Sequence, residues 1–365
     1  MAGQAEQDYF PADYASGRTH FRKAAAARGF ALTAYLNPHA KGPAGEDLTT
    51  DVAIWGDRAA EQALLIMSGT HGVEGYAGSG CQLGFLNDPG FANPPRGLRI
   101  VLIHAINPYG FAWNRRVNED NVDLNRNFVD HSVRKALHPG YEVLKDAIAP
   151  AQLDAKSEAA ADAALAAYAR EHGVFALQEA ITQGQYAYPG GLYFGGAFET
   201  WSAGLLKHLL RREFASCGRV AIVDVHTGLG PYGYGELITE EPKSSGAYAR
   251  ARRWWGDTVL STKNGESVSA DVTGSVDGAF AQNLLHADVT ACCLEYGTYA
   301  THEVFKALRA DNWLHLHGDP LRQDAKEIKA QIRRAFYPDC EDWKELVWAR
   351  ARSVFAQAID GLMEP

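Results

Sequence analysis

Apolar runs alternate with amphipathic stretches along most of the chain, and this alternation predicts strands separated by helices. The predicted strands are 30–35, 50–55, 64–67, 98–104, 220–225 and 289–294. The predicted helices are 8–28, 81–86, those across 140–185 (most clearly 159–171), 198–216 and those across 300–362. Two glycines and a proline at 39–45 predict a loop between the first two strands. We therefore predict an α/β fold, with a mixed, mostly parallel twisted sheet and helices on both faces.

Polar residues capable of chemistry follow four of the predicted strands. They are His71 with Glu74, the segment that starts at Asn107, His226, and Glu295. Open α/β sheets bind ligands beyond the carboxyl ends of their strands. The sequence therefore predicts a functional site at that edge of the sheet.

The first cluster is the segment 68–76, SGTHGVEGY, which holds His71 and Glu74. A spacing of three residues in a turn that enters a helix places both side chains on one side. An imidazole and a carboxylate are two of the three protein ligands of a catalytic zinc site, which needs a third ligand and keeps its fourth position for water. Because His-x-x-Glu is common by chance, the alternative is a polar loop without function.

The second cluster, 107–128, has the sequence NPYGFAWNRRVNEDNVDLNRNF. Its three arginines are Arg115, Arg116 and Arg126. A guanidinium can bind a substrate carboxylate through two oxygens, or stabilise an oxyanion as charge develops. The alternative is a solvated loop in which Asp120 and Asp123 form salt bridges with these arginines.

The third cluster is His226 with Asp224, which points to the same face of the strand and could orient the imidazole. The alternative is a core histidine hydrogen-bonded to backbone. The segment 228–233, GLGPYG, matches a dinucleotide-binding pattern, but a predicted strand follows it where a helix is required, which excludes that function.

The fourth cluster is Glu295, which follows the predicted strand 289–294. Its apolar neighbours would raise the pKa of its carboxyl group and suit it to proton transfer. The alternative is a surface glutamate.

Composition narrows the class of protein. The net charge of -9 over 365 residues argues against binding to nucleic acid or to an anionic membrane. We find no run of about 18 apolar residues, and residues 1–18 lack the apolar stretch of a secretory signal. Five cysteines, two of them adjacent, indicate reduced thiols. We predict one cytoplasmic catalytic domain over 1–365, with a helical and Tyr/Gly-rich insertion at about 130–215.

Together the motifs resemble the zinc carboxypeptidase family and its relatives, the aspartoacylases and succinylglutamate desuccinylases. That pattern is His-x-x-Glu after a strand, Asn-Pro-Asp-Gly, an arginine, Asp-x-Asn-Arg-Asn-aromatic, a distant histidine and a late glutamate. This chain supplies each motif in that order over residues 50–300, with Tyr109 in place of the aspartate. The resemblance implies a zinc carboxypeptidase-like (phosphorylase/hydrolase-like) fold and an atypical, bacterial-type cytoplasmic branch.

By this resemblance, His71, Glu74 and His226 would bind one zinc ion per chain, and Glu295 would act as general base and general acid. The implied reaction is hydrolysis of a peptide bond next to a free carboxylate, as in a metallocarboxypeptidase. One alternative is the removal of an acyl group from an N-acyl amino acid, as in aspartoacylases. Another is a catalytically silent protein that binds carboxylates. The natural substrate and the oligomeric state stay open.

The resemblance also assigns the groups that bind substrate oxygens. Arg116 would polarise the scissile carbonyl, with Arg115 as a rival, and Asn125 and Arg126 would bind the terminal carboxylate. A tyrosine near the late glutamate, which the peptidases use, has no clear position here. The candidates are Tyr232, Tyr234 and the tyrosines of the loop 186–193.

Overall fold

A computed structural model describes residues 9–133 and 135–364. Its eight strands are β1 (Ala31–Lys41), β2 (Asp47–Trp55), β3 (Gln62–Ser68), β4 (Leu98–His104), β5 (Arg219–Tyr232), β6 (Gly235–Thr239), β7 (Val259–Ser261) and β8 (Asp288–Gly297). Its twelve α-helices are α1 (Tyr14–Ala27), α2 (Gly75–Asn87), α3 (Pro108–Ala112), α4 (Pro139–Ile148), α5 (Ala155–His172), α6 (Val174–Thr182), α7 (Trp201–Glu213), α8 (Gly246–Trp255), α9 (Val276–Asn283), α10 (Thr301–His317), α11 (Lys326–Phe336) and α12 (Glu341–Leu362).

All eight strands form one sheet in the order β1-β2-β4-β3-β5-β8-β6-β7. Strands β4, β3, β5 and β8 run parallel in its centre, while β1, β2 and β6 pair antiparallel with their inner neighbours. Residues 63–67 of β3 are fully buried, because helices cover both faces of the central strands. The predicted mixed α/β sheet is confirmed.

Two hydrophobic clusters fill the spaces between the sheet and its helices. On one face, α1, α2, α8 and α12 pack through aromatic side chains such as Phe21, Phe85 and Trp348. On the other face, α7 and α9 pack through Leu206 and Phe280. No helix in the described part of the chain is both long and apolar enough to cross a bilayer.

Several boundaries differ from the prediction. The predicted loop 39–45 is wrong at its start, because β1 continues to Lys41, which pairs with Asp47 beyond an irregularity. The first helix begins at Tyr14, where the Asp13 side chain caps it, and residue 8 lies outside the described residues. The strand expected after the segment 228–233 is confirmed as β6, which supports excluding a dinucleotide site.

Helices α4 to α7 fall within the predicted insertion, and α7 packs on the sheet through the cluster that contains Leu206. Helices α4, α5 and α6 pack with α10 and α11 in a third hydrophobic cluster. This cluster includes Val73, from the turn between β3 and α2, and Tyr193, from the loop that follows α6. This third cluster thereby contacts the segment that carries His71 and Glu74.

Candidate metal centre and active site

The turn after β3 is held against the second cluster by backbone contacts. Gly69 has a φ of 69°, which turns the chain away from the strand at no steric cost. A Cβ on Gly72 would overlap the backbone of Gly110, so only glycine permits this approach. The Gly72 N–H donates to the carbonyl of Arg116 at 3.1 Å. The turn 72–74 is therefore docked beside Arg116.

His71, Glu74 and His226 converge in the protein interior. Nδ1 of His71 lies 2.8 Å from one carboxylate oxygen of Glu74, and Nδ1 of His226 lies 3.0 Å from the other. The two Nδ1 atoms are 3.2 Å apart. All three residues are at most 4% exposed. The structure thus brings together the three residues that the sequence predicts as zinc ligands.

The second nitrogen of each imidazole faces a buried carboxylate. Nε2 of His226 donates to Asp224 at 2.7 Å, and Thr70 donates to the same oxygen at 2.8 Å. Nε2 of His71 lies 3.3 Å from Asp123, at ion-pair distance but without hydrogen-bond alignment. Carboxylates in these positions favour the tautomer that keeps the proton on Nε2 and leaves the Nδ1 lone pair for a metal.

The charged groups around His71, Glu74 and His226 favour the binding of a cation. Glu74, Asp123 and Asp224 are buried carboxylates, and the guanidinium that contacts two of them belongs to Arg116. Burial disfavours the charged form of Glu74, but His71 and His226 lower its pKa to about 2. Two imidazole nitrogens and one carboxylate are a donor set of catalytic zinc sites, so the residues present fit a zinc ion.

Glu295 lies on β8, the strand next to β5, which carries His226. It pairs in register with His226 across β5 and β8, and it is 6% exposed. Its carboxylate accepts the Leu229 N–H at 3.0 Å. Burial and the charge of Glu74 raise the pKa of Glu295 to about 8, against the opposing effects of His226 and Arg116. Because β5 and β8 continue past His226 and Glu295, both residues lie inside strands and not at strand ends as predicted.

A second group of possible donors shares His226. Cys293, Glu295 and His226 also place their ligand atoms within 4.8 Å of one another. Burial raises the pKa of Cys293 well above its ordinary value, and a thiol must lose its proton to bind a metal. The pair of imidazoles with Glu74 is therefore the better candidate for a zinc site.

The two adjacent arginines have different surroundings. Arg116 donates from Nε to Asp123 at 2.9 Å, and its Nη1 lies 3.6 Å from Glu74, so it borders the candidate metal centre. Arg115 instead pairs with Asp311 at 3.1 Å and donates to Asn121 at 2.9 Å. Of the two, Arg116 is the one placed beside the candidate ligands.

Arg126 and Asn125 are held largely by backbone groups. Arg126 is 4% exposed and donates from Nε and Nη2 to the carbonyl of Thr182, and from Nη1 to the carbonyl of Asn125. Among the described residues these contacts use three of its five N–H groups, which leaves two for a ligand. The side-chain oxygen of Asn125 accepts the Val276 N–H at 2.8 Å, at the start of α9.

Residues 10–350 match the profile of a protein family described as "Protein of unknown function (DUF2817)". The chain belongs to the DUF2817 family. No curated protein matches this DUF2817 chain.

Solved structures similar to this DUF2817 chain include two with 11% sequence identity. One is carboxypeptidase A from Helicoverpa armigera, with 91% of this chain and 75% of that chain covered and a TM-score of 0.44. The other is bovine thrombin-activatable fibrinolysis inhibitor in complex with tick carboxypeptidase inhibitor, with 96% and 99% covered and a TM-score of 0.46. A succinylglutamate desuccinylase from a Silicibacter species has 12% identity, 78% and 66% covered, and a TM-score of 0.40.

The sequence motifs assign no role to two residues that the structure places at this candidate site. Asp123, interpreted as a possible loop salt bridge, is fully buried between His71 and Arg116. Its position at the start of the Asp-x-Asn-Arg-Asn motif is the signal that could have identified it. Tyr193 was one of several candidate tyrosines, and its ring lies over Arg116 and Arg126. In contrast, Tyr232 and Tyr234 are 42% and 46% exposed.

Proposed function

We propose that this chain is a zinc-dependent hydrolase that cleaves an amide bond next to a free carboxylate, in the manner of a carboxypeptidase. The observation that carries the proposal is the convergence of His71, Glu74 and His226, with Glu295 in register beside His226. Two imidazoles, a ligand carboxylate and a separate carboxylate are the groups that metal-assisted amide hydrolysis requires.

Each polar group has a distinct task in this reaction. When bound, zinc supplies a Lewis acid that polarises the carbonyl and makes a water molecule more acidic. Glu295 takes a proton from the attacking water and returns it to the leaving nitrogen. The Arg116 guanidinium stabilises negative charge that develops on the carbonyl oxygen.

Arg126 selects the end of the substrate. Its two remaining N–H groups, held by the contacts to Thr182 and Asn125, suit the two oxygens of a carboxylate. A carboxylate fixed there limits which amide bond reaches Glu295, because the distance from the carboxylate to the reacting carbon is set. This supports cleavage of the bond adjacent to the free acid.

We expect Arg126→Lys to raise KM for free-acid substrates about tenfold, with a much smaller change in kcat, since an ammonium cannot form the two-pronged contact. The measurement compares peptides that differ only in a C-terminal acid or amide. The amide is the internal control, because it has no carboxylate for Arg126 to bind. Equal cleavage of acid and amide by the wild type would contradict the role of Arg126.

The second candidate is an N-acyl amino acid deacylase. Tyr193 favours this second function. The residue is 8% exposed and its ring lies over both arginines, which leaves more room for a compact substrate than for a long peptide. A panel of dipeptides, longer peptides and N-acetyl amino acids separates the two functions. Cleavage of N-acetyl amino acids with little cleavage of peptides selects the deacylase.

A further inference from the structure

Tyr193 has a backbone conformation that is unusual for a bulky residue. Its φ is 56°, in the left-handed region that L-residues with large side chains rarely adopt. It is also 8% exposed, so the conformation is not the result of a free surface loop. Buried residues with such strain occur mainly where the surrounding structure forces a side chain into a particular place.

The segments on both sides hold Tyr193 in this conformation. Its carbonyl accepts the Gln185 N–H at 3.1 Å. The carbonyl of Leu192 accepts the Tyr141 hydroxyl at 3.0 Å, and the carbonyl of Phe194 accepts the Asp123 N–H at 2.8 Å. The last contact links the loop to the carboxylate residue that bridges His71 and Arg116.

The ring of Tyr193 is shared by two guanidinium groups. Its centroid lies 5.2 Å from Cζ of Arg116 and 5.7 Å from Cζ of Arg126. Burial lowers the pKa of Arg126, and the positive charge of Arg116 lowers it further, against the effect of Asp123. The two cations therefore repel each other at close range, and an aromatic ring that contacts both offsets part of that repulsion.

We propose that Tyr193 is a positioning residue that holds Arg116 and Arg126 as a pair, so that one binds the scissile carbonyl oxygen and the other the carboxylate. This inference rests on the proposed function and deepens it. If Tyr193 holds the arginine pair in this way, its aromatic ring helps to determine the preference for substrates that end in a free acid.

The test uses zinc-loaded Glu295→Gln protein, in which a substrate binds but is cleaved on the order of 10²–10⁴ times more slowly. The probes are N-acetyl-L-alanyl-L-alanine and its C-terminal amide, and their affinities are measured by calorimetry. Tyr193→Leu removes the aromatic ring without adding a branch at Cβ, and Tyr193→Phe keeps the ring. Tyr188→Leu is the matched control, because Tyr188 lies in the same loop and contacts Lys145 and Glu142 instead of the arginine pair.

We expect Tyr193→Leu to weaken binding of the acid about tenfold and to leave binding of the amide nearly unchanged. Tyr193→Phe should bind the acid within about twofold of the parent, because the ring is the group that contacts both cations. Tyr188→Leu should behave like the parent, and all variants should retain zinc.

Three results of the binding measurements would overturn the inference. They are parental affinity for the acid in Tyr193→Leu, equal losses for acid and amide, and a large loss in Tyr193→Phe, which would make the hydroxyl the important group. Loss of zinc in Tyr193→Leu would also overturn it, since the effect would not be confined to the arginines. If the parent itself does not prefer the acid, the proposed carboxylate selection fails as well; if it does, only the role of Tyr193 fails.

Discussion

Replacement of Glu295 by glutamine is expected to lower kcat by a factor on the order of 10²–10⁴, while the protein still binds zinc and substrate. Glutamine keeps the size of the side chain, and its carbonyl oxygen can still accept the Leu229 N–H that holds Glu295 at 3.0 Å. What it cannot do is take a proton from the attacking water. The variant therefore separates proton transfer from binding.

The pH dependence of the wild type checks the same role. Burial and Glu74 raise the pKa of Glu295 to about 8, and a bound cation favours the ionised form and lowers that pKa. Because the base must be ionised, kcat/KM should fall as the pH falls through the resulting pKa, below about 8. This acid limb should be absent from the residual activity of Glu295→Gln.

Glu236→Gln is the matched control for Glu295→Gln. Glu236 pairs in register with Glu295 across β6 and β8, but it accepts hydrogen bonds from Ser267 and from the Val268 N–H. The same substitution at the neighbouring position should leave kcat within a few-fold. Zinc content, substrate affinity and kcat are measured on one preparation of each variant. Near-normal kcat in Glu295→Gln would remove Glu295 from the mechanism, and loss of zinc would make it a ligand.

His71→Ala and His226→Ala are each expected to lose most of the bound zinc. Each change removes one of three donors, and the ligands that remain cannot complete a catalytic site. Asp224→Asn should have a smaller effect, about 10–100-fold in affinity, because it alters only the group that orients His226. His20→Ala, at an exposed position on α1, controls for the general effect of removing a histidine. Full retention of zinc by both ligand variants would exclude this site.

The approach of His71, Glu74 and His226 could be predicted because the sheet itself brings them together. β3 and β5 are adjacent and parallel, so residues at equivalent heights on the two strands become neighbours. Apolar runs mark both strands clearly in the sequence. In contrast, the sequence pattern does not predict β7, α8 or α9; β7 has only three residues and α9 only eight.

The surroundings of the arginines could not be predicted, because they depend on contacts between distant parts of the chain. Arg126 donates to Thr182, and the ring of Tyr193 lies over Arg116; both partners come from the segment 130–215, far along the chain from the motif. Asp123 is charged and follows a polar stretch, which suggests exposure, yet packing of the loop 192–194 buries it. The local pattern of apolar and polar residues does not predict contacts of this kind.

Titration of metal-free protein with zinc, while hydrolysis of a free-acid peptide is followed, decides whether these residues form a zinc-dependent hydrolase. We expect no hydrolysis without metal, and a rate that rises linearly and levels off at about one zinc per chain. The same titration of His71→Ala should give no such break. Hydrolysis that does not depend on zinc, or saturated zinc binding without hydrolysis of any peptide or N-acyl amino acid in the panel, would contradict the proposed function.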